Sequence, residues 1–282
     1  PDPEMFDATV YDYEILHTRM QQQAFLNAGI YIKLRDERYE ENIREDVLNY
    51  EGGIRSFVEH LNQAKHVDVI HPDVIYMKAE KGDITAEVAM QYNDSYTETI
   101  VTFANNMNTS DGGTHEAGFK SAITKVLNEY ARKSGALKDT DKNLSGEDAR
   151  EGLCAVVSVK LPDAQFESQT KAKLGNSEVR SIVDNIVCEK LAEFYEENPS
   201  VAKAIVEKSL AAQRARDAAR KARDLTRRKT ALESTTFQPT RSFQGFWRSA
   251  TRYCSSPSPH TTDTPTKTAT SSRSSPARSS TR

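Results

Sequence analysis

Gln165-Phe-Glu-Ser-Gln-Thr-Lys-Ala-Lys-Leu-Gly-Asn-Ser-Glu-Val179 decides how this chain of 282 residues is read. Just upstream, Leu153-Cys-Ala-Val-Val-Ser-Val159 is continuously apolar and runs on to Leu161, the character of a central strand buried on both faces. Just downstream, a helix opens at Asn176 and runs from about Ser177 to Tyr195, with Val179, Ile182, Ile186, Val187 and Leu191 inward. The stretch between them is a strand-to-helix loop that carries Lys171 beside the amide of Gln169. A loop lysine brings a compact, mobile point charge to a phosphate that another element holds. Taken alone, such a lysine reads sooner as a solvated surface charge, as most loop lysines are.

Working outward, Asp12 caps a helix that reaches about Asn27 and ends at Gly29, and Ile30 to Leu34 starts a strand. A helix near Gly53 to Gln63 places Ile54, Phe57, Val58 and Leu61 on one face. Val74 to Lys78 is a short strand, and Ile84-Thr-Ala-Glu-Val-Ala-Met90 alternates as a half-buried strand does. Thr97 to Phe103 is expected to form an antiparallel hairpin with it across Asn93-Asp94-Ser95. Thr114 is expected to cap a helix to about Lys133 with Phe119, Ile123, Val126 and Leu127 buried. Gly135 to Ser145 reads as a polar linker and Gly146 to Glu151 as one helical turn. Pro199 then begins a helix to about Arg228, roughly 45 Å long. Its expected apolar seam is Val201, Ala204, Ala211, Ala215, Ala218, Ala222 and Leu225. Mixed strands and helices predict an α+β layer, one sheet covered by helices.

A formal net charge of −3 hides an asymmetry. Residues 237–282 carry seven Lys/Arg against one acid, leaving 31 basic and 40 acidic residues elsewhere. That last stretch also holds 20 Ser/Thr and 5 Pro and loses its large apolar residues after Tyr253, a composition that predicts disorder. No apolar run reaches membrane-spanning length and no signal peptide is visible. Cys154, Cys188 and Cys254 have no metal-ligand spacing, and the first two sit in apolar patterns as reduced core residues, which suits a cytoplasmic chain. The chain starts at Pro1, so its amino end is expected to be missing.

From Val201 to Thr230 there are ten Lys/Arg against three acids. Arg216, Arg220, Arg223 and Arg227 form one helical stripe, and Arg214, Lys221 and Arg228 another at seven-residue spacing. Such density neutralises phosphates without reading sequence, and no aromatic interleaves it to stack on bases. The plainer reading is a solvated helix face. Asp111-Gly-Gly-Thr-His115 reads as a tight strand-to-helix turn; it lacks the lysine and glycine spacing of a Walker loop, and His115 has no nucleophile to serve. Asp139, Asp141, Glu147 and Asp148 fit no calcium loop and read as solvated linker acids, so no metal site is expected.

Asp111-Gly-Gly-Thr-His-Glu-Ala-Gly-Phe119, together with the Gln165 to Val179 stretch, resembles the B subunits of bacterial type IIA topoisomerases, those of DNA gyrase above all. Phe25-Leu-Asn-Ala-Gly29, Tyr50-Glu-Gly-Gly-Ile-Arg-Ser-Phe57, Gln91-Tyr-Asn-Asp-Ser-Tyr96 and Gly146-Glu-Asp-Ala-Arg-Glu-Gly152 match as well, in order, so the likeness runs from about Phe6 to about Thr236. It implies a transducer domain over residues 1–197, with the α/β sandwich of ribosomal protein S5 domain 2, a basic arm helix over 198–236 and a low-complexity tail over 237–282. It further implies that Lys171 acts catalytically, that Gln169 and Lys171 reach the γ-phosphate of ATP, and that other domains hold Mg2+. The implied partners are double-stranded DNA, the gyrase A subunit and a second B subunit in an A2B2 assembly, with no membrane. The alternatives are topoisomerase IV and a non-catalytic basic DNA-binding module. Alone, the chain is expected not to turn over ATP. It departs from the family after Ser234, where a Leu-Pro-Gly-Lys-Leu stretch and a metal-binding cleavage domain would follow, and a slip of reading frame is the expected cause.

Overall fold

A computed structural model describes residues 2–235 apart from 8, 39–42 and 139, with side-chain surroundings up to residue 228. The expectations for the 237–282 tail, Cys254 and Asp139 lie outside the described residues. Pro1–Leu225 forms one compact unit, and Thr226–Arg282 falls in a second, of which residues 226–235 are helical. Among the described residues no helix is long and apolar enough to cross a membrane.

The chain starts with α1 (Tyr13–Leu26), whose first turn is fixed by the Asp12 carboxylate accepting from the Glu14 and Ile15 amides. The antiparallel ribbon β1 (Ile32–Asp36) and β2 (Arg44–Leu48) follows, then α2 (Ile54–Ala64). β2 occupies residues whose charge reads as a turn; alternating Arg44, Glu45 and Asp46 carry the strand through cross-strand ion pairs such as Lys33–Glu45 at 2.8 Å.

Five strands make the main sheet: β3 (Ile75–Lys81), β4 (Ile84–Tyr92), β5 (Thr99–Ala104), β6 (Met107–Asn108) and β7 (Leu153–Lys160), in the order β3-β4-β7-β5-β6. β3 and β4 are the hairpin, turning at Gly82 with φ 64. The expected β4–β5 hairpin does not form. β7 lies between the two, antiparallel to β4 and parallel to β5. The physical reason is burial: Leu153 to Val159 is buried throughout and has to take a central position, whereas the shorter and more polar β5 tolerates a place nearer the edge. Parallel pairing then needs a crossover, which α3 (Thr114–Lys133) and the single turn α4 (Gly146–Ala149) provide.

Helices cover both faces of the sheet. On one, Phe25, Leu26, Ile54, Phe57 and Val58 of α1 and α2 pack on Ala89, Phe103, Cys154 and Val156. On the other, α3 and α5 (Ser177–Glu197) pack on Met77, Val88, Met90, Ala155 and Val157. Asn198 ends α5, and α6 (Pro199–Thr235) departs from it. Ala202, Ile205 and Val206 of α6 belong to this second core, so the expected boundary at 197/198 separates nothing in packing. The expected seam is also displaced by one position: Ala202, Ile205, Val206, Ser209 and Ala212 are buried, while Ala211, Ala215, Ala218 and Ala222 are outside the core and Leu225 is 59% exposed. Alanine periodicity alone does not say which of two adjacent rows faces the core; the larger Ile205 and Val206 decide it.

Candidate functional site

Residues 162–176 connect β7 to α5, and a short internal ladder shapes them. Asn176 is buried; its Nδ2 donates to the Asp163 carbonyl (3.0 Å) and its Oδ1 accepts from the Gln165 amide (2.7 Å), closing the base. Phe166 bridges Leu174 in antiparallel fashion, and the Glu167 amide donates to the Lys173 carbonyl. The tip is a tight turn in which the Lys171 amide donates to the Ser168 carbonyl (3.0 Å), with the Ser168 and Thr170 hydroxyls 2.7 Å apart. Gln169 and Lys171 are both exposed there. Lys171 has φ 57, an uncommon conformation for a residue with a Cβ. Its Nζ lies 5.9 Å from the Phe166 ring centroid and makes no ion pair with any described residue. Lys173, expected to be solvated, pairs with Glu167 at 2.8 Å.

The loop is pinned by the Asp111 to His115 turn. The Asp111 amide donates to the Ala172 carbonyl (2.9 Å), the Leu174 amide to the Gly112 carbonyl (3.2 Å) and the Thr114 amide to the Leu174 carbonyl (3.2 Å). Leu174 is 1% exposed and anchors the loop in the core. This turn therefore gives its amides to the loop. Thr114 does not cap α3: Gly113 holds the cap position, and the Thr114 hydroxyl is buried without a partner among the described residues. His115 is fully buried. Its Nε2 lies 3.1 Å from the Thr109 hydroxyl, which also meets the Thr102 carbonyl and hydroxyl. Burial pushes its pKa down to about 4, and the neutral ring is structural.

On α6, Arg214, Arg220, Lys221 and Arg223 are exposed, as are Arg227 and Arg228. Arg216 leaves its expected stripe. Its Nη1 stands 2.9 Å from Asp148 Oδ1, and its Nη2 is 3.3 Å from Glu151 Oε2 and donates to the Glu147 carbonyl. Asp148, expected to be solvated, is 4% exposed and also accepts from the Ser145 amide and hydroxyl. Arg220 pairs with Asp217.

Sequence reasoning missed a buried amide network under Gln91-Tyr-Asn-Asp-Ser-Tyr96. Asn62 Nδ2 donates to Gln91 Oε1 (2.8 Å), Asn93 Nδ2 to Asn62 Oδ1 (3.0 Å), and the Tyr92 amide to His71 Nε2 (3.0 Å). The partners lie 20 to 31 residues apart, beyond any local periodicity. Only the unusual run of amides hinted at them.

The DNA gyrase B family matches residues 53–225. The chain is 55% identical over 236 residues to the DNA gyrase B subunit of Clostridium acetobutylicum and 54% identical over 234 residues to that of Enterococcus faecalis. Each match covers 83% of this chain and 36% of the relative, so the chain spans about a third of the curated relatives' length. Among solved structures, the 43K ATPase domain of Thermus thermophilus gyrase B in complex with an aminocoumarin is similar at a TM-score of 0.69 and 40% identity, covering 80% of this chain and 59% of that one. The topoisomerase IV ATP binding domain of Francisella tularensis shares the fold, at a TM-score of 0.63, 24% identity and coverage of 77% and 57%.

Proposed function

The chain belongs to the DNA gyrase B family, and from that premise we propose that it serves as the transducer of an ATP-dependent type II DNA topoisomerase, the gyrase B subunit. In this reading nucleotide state at the Lys171 loop becomes movement of α6, and the parent enzyme passes one duplex through another. The sheet with helices on both faces fits the S5 domain 2-like sandwich proposed for residues 1–197, extended by the first turns of α6. The gyrase reading is favoured over topoisomerase IV because the topoisomerase IV likeness, at 24% identity, supports the fold alone.

One observation carries the proposal: Lys171 is a cation unpaired among the described residues, on a loop tip whose flanks are tied to the folded core. A single ammonium beside the Gln169 amide suits the terminal phosphate of a nucleotide; it does not suit holding a whole nucleotide. ATP, and Mg2+ with it, would therefore be held chiefly by another domain. The chemistry ATP supplies is phosphoryl transfer. Lys171 would stabilise negative charge growing on the transferring group, and the pinned loop would already hold that charge in place before reaction. The exposed Arg214, Arg220, Lys221, Arg223, Arg227 and Arg228 are proposed to meet duplex phosphates, while Arg216 serves the fold. The gyrase A subunit, a second B subunit in an A2B2 assembly and a cytoplasmic location complete the reading.

The test is Lys171→Ala in a subunit of the relatives' full length. ATP turnover should fall by about 100-fold or more with circular dichroism and melting unchanged. A rate close to that of the unsubstituted subunit overturns the assignment.

A further inference from the structure

The loop carrying Lys171 is tied near both of its ends to one hairpin. Its end is held by the Asp111 to Thr114 backbone, which directly follows β6. Its start is held by a side chain at the tip of the same hairpin. β5 and β6 are joined by the two-residue turn Asn105-Asn106, with φ 48 and 62. Asn is among the few residues that adopt this conformation at low cost. The Asn105 amide N–H donates to the Val159 carbonyl at 2.9 Å, the last rung between β5 and β7. The side chain then continues the ladder where the strand has ended: Asn105 Nδ2 donates to the Leu161 carbonyl (2.8 Å) and the Leu161 amide donates to Asn105 Oδ1 (2.9 Å). Pro162 follows at once, so Leu161 is the last residue before the loop departs.

The turn is in turn held by one face of α1. Arg19 Nη2 and Gln23 Nε2 both donate to the Asn106 carbonyl, at 3.1 and 3.0 Å, and Asn106 Nδ2 donates to Asn27 Oδ1 at 3.2 Å. Arg19, Gln23 and Asn27 are spaced four apart and lie on one helical row. A long polar side chain holding a carbonyl is a specific contact; an apolar contact between α1 and this turn would let it slide.

We infer that Asn105 is a positioning residue for the Lys171 loop, and that α1, by gripping the Asn105-Asn106 turn, sets where that loop begins. This rests on the nucleotide reading of Lys171 proposed above. The register of a cation over a nucleotide is then set by the side-chain amide of Asn105, which bonds to Leu161 and not to Lys171. Because the side chain forms both bonds that a backbone rung would form, its loss frees Leu161 and the loop start without breaking any strand-to-strand bond.

The deciding variant is Asn105→Gly. Glycine accepts the turn's φ freely, so the hairpin forms while both side-chain bonds are gone. Hydrogen exchange on the purified chain should show the amides of Leu161, Gln165 and Glu167 opening about tenfold faster, with β3 and β4 amides unchanged. Asn106→Gly, which keeps the carbonyl that Arg19 and Gln23 grip, should leave the three loop amides at wild-type rates. In a subunit of the relatives' full length, Asn105→Gly should lower kcat for ATP about tenfold with KM little changed, since the interaction lost is one made in the transition state. Unchanged exchange at Leu161 and Gln165 overturns the inference. Faster exchange with unchanged turnover leaves Asn105 as the loop's positioner and overturns the nucleotide role of Lys171 instead.

Discussion

Gly113 and Leu174 meet backbone to backbone, and a Cβ at Gly113 would stand 2.5 Å from the Leu174 oxygen and 2.7 Å from its nitrogen. Gly113 also has φ 143, a conformation that a residue with a side chain adopts only under strain. The cationic loop is thus seated on a surface that only glycine allows. Gly113→Ala should cost about 2 kcal/mol or more in urea unfolding, and the loop, not the sheet, should give way first. Exchange at the Leu174 and Asp111 amides would report it. An Ala variant as stable as the parent would mean that the contact adjusts without cost.

The buried imidazole of His115 makes the fold sensitive to mild acid. Unfolded, the ring takes a proton below about 6.5. Folded, burial holds it neutral down to about 4. Between those values the unfolded chain binds more protons, so stability from this group is complete above about 6.5 and drains away as pH falls toward 4, by on the order of 3 kcal/mol in all. His71, also pushed down by burial, adds in the same direction. Urea midpoints at pH 7, 5.5 and 4.5 should fall steadily, and His115→Gln should flatten the decline. At Glu98 the cost of burial is outweighed by Lys120 and Arg150, which hold the carboxyl below its ordinary value, so it contributes lower on the scale and does not mimic this window.

The six family-like stretches of sequence turn out to be three contacts. Phe25 stacks on Tyr50 and Phe57, joining the first two stretches. The Tyr92 hydroxyl donates to the Ala149 carbonyl and the Asn93 amide to the Gly152 carbonyl, joining Gln91–Tyr96 to Gly146–Gly152. Gly113 and Leu174 join Asp111–Phe119 to Gln165–Val179. Helix positions were legible because 3.6-residue periodicity is local, and β7 was legible because an uninterrupted apolar run has one comfortable place in a sheet. Strand order was not, since nothing in Thr97 to Phe103 says whether its neighbour is the preceding strand or one about 50 residues on. The loop that carries Lys171 could be placed between its strand and helix, but the carboxylates that claim Arg216 could not be foreseen, because helical spacing shows which side chains share a row and not what the row faces.

If α6 meets duplex DNA, its exposed cations set the salt dependence. Each phosphate neutralised contributes about 0.9 to the slope of log affinity against log salt. Replacing Arg214, Arg220, Lys221 and Arg223 by Ala should therefore lower the slope by up to about 4, and by less where the Arg220 pairing with Asp217 persists in the bound state. Binding should weaken equally on unrelated duplexes, as contacts to phosphate carry no sequence information. Titrations at two salt concentrations decide it: an unchanged slope assigns these side chains to solvent.

Arg216 should behave in the opposite way. It holds α6 to α4 by a guanidinium fork that reaches Asp148 and Glu151 at once, and Asp148 is buried. Arg216→Ala strips a buried carboxylate of its charged partner, leaving, among the described residues, the Ser145 amide and hydroxyl to face it. The expected loss is about 2–3 kcal/mol, below the figure for a fully enclosed pair because the arginine is partly solvated. Arg216→Lys should recover only part of this, since one ammonium cannot span both carboxylates in the same geometry. Pairing Arg216→Ala with Asp148→Asn should cost less than the sum of the two single changes, because the second removes the charge that the first left stranded. The salt slope of DNA binding should be untouched by Arg216→Ala in any temperature range where the fold survives. A drop of about one in that slope, with stability unchanged, would return Arg216 to the phosphate-facing row and assign the ion pairs with Asp148 and Glu151 no structural weight.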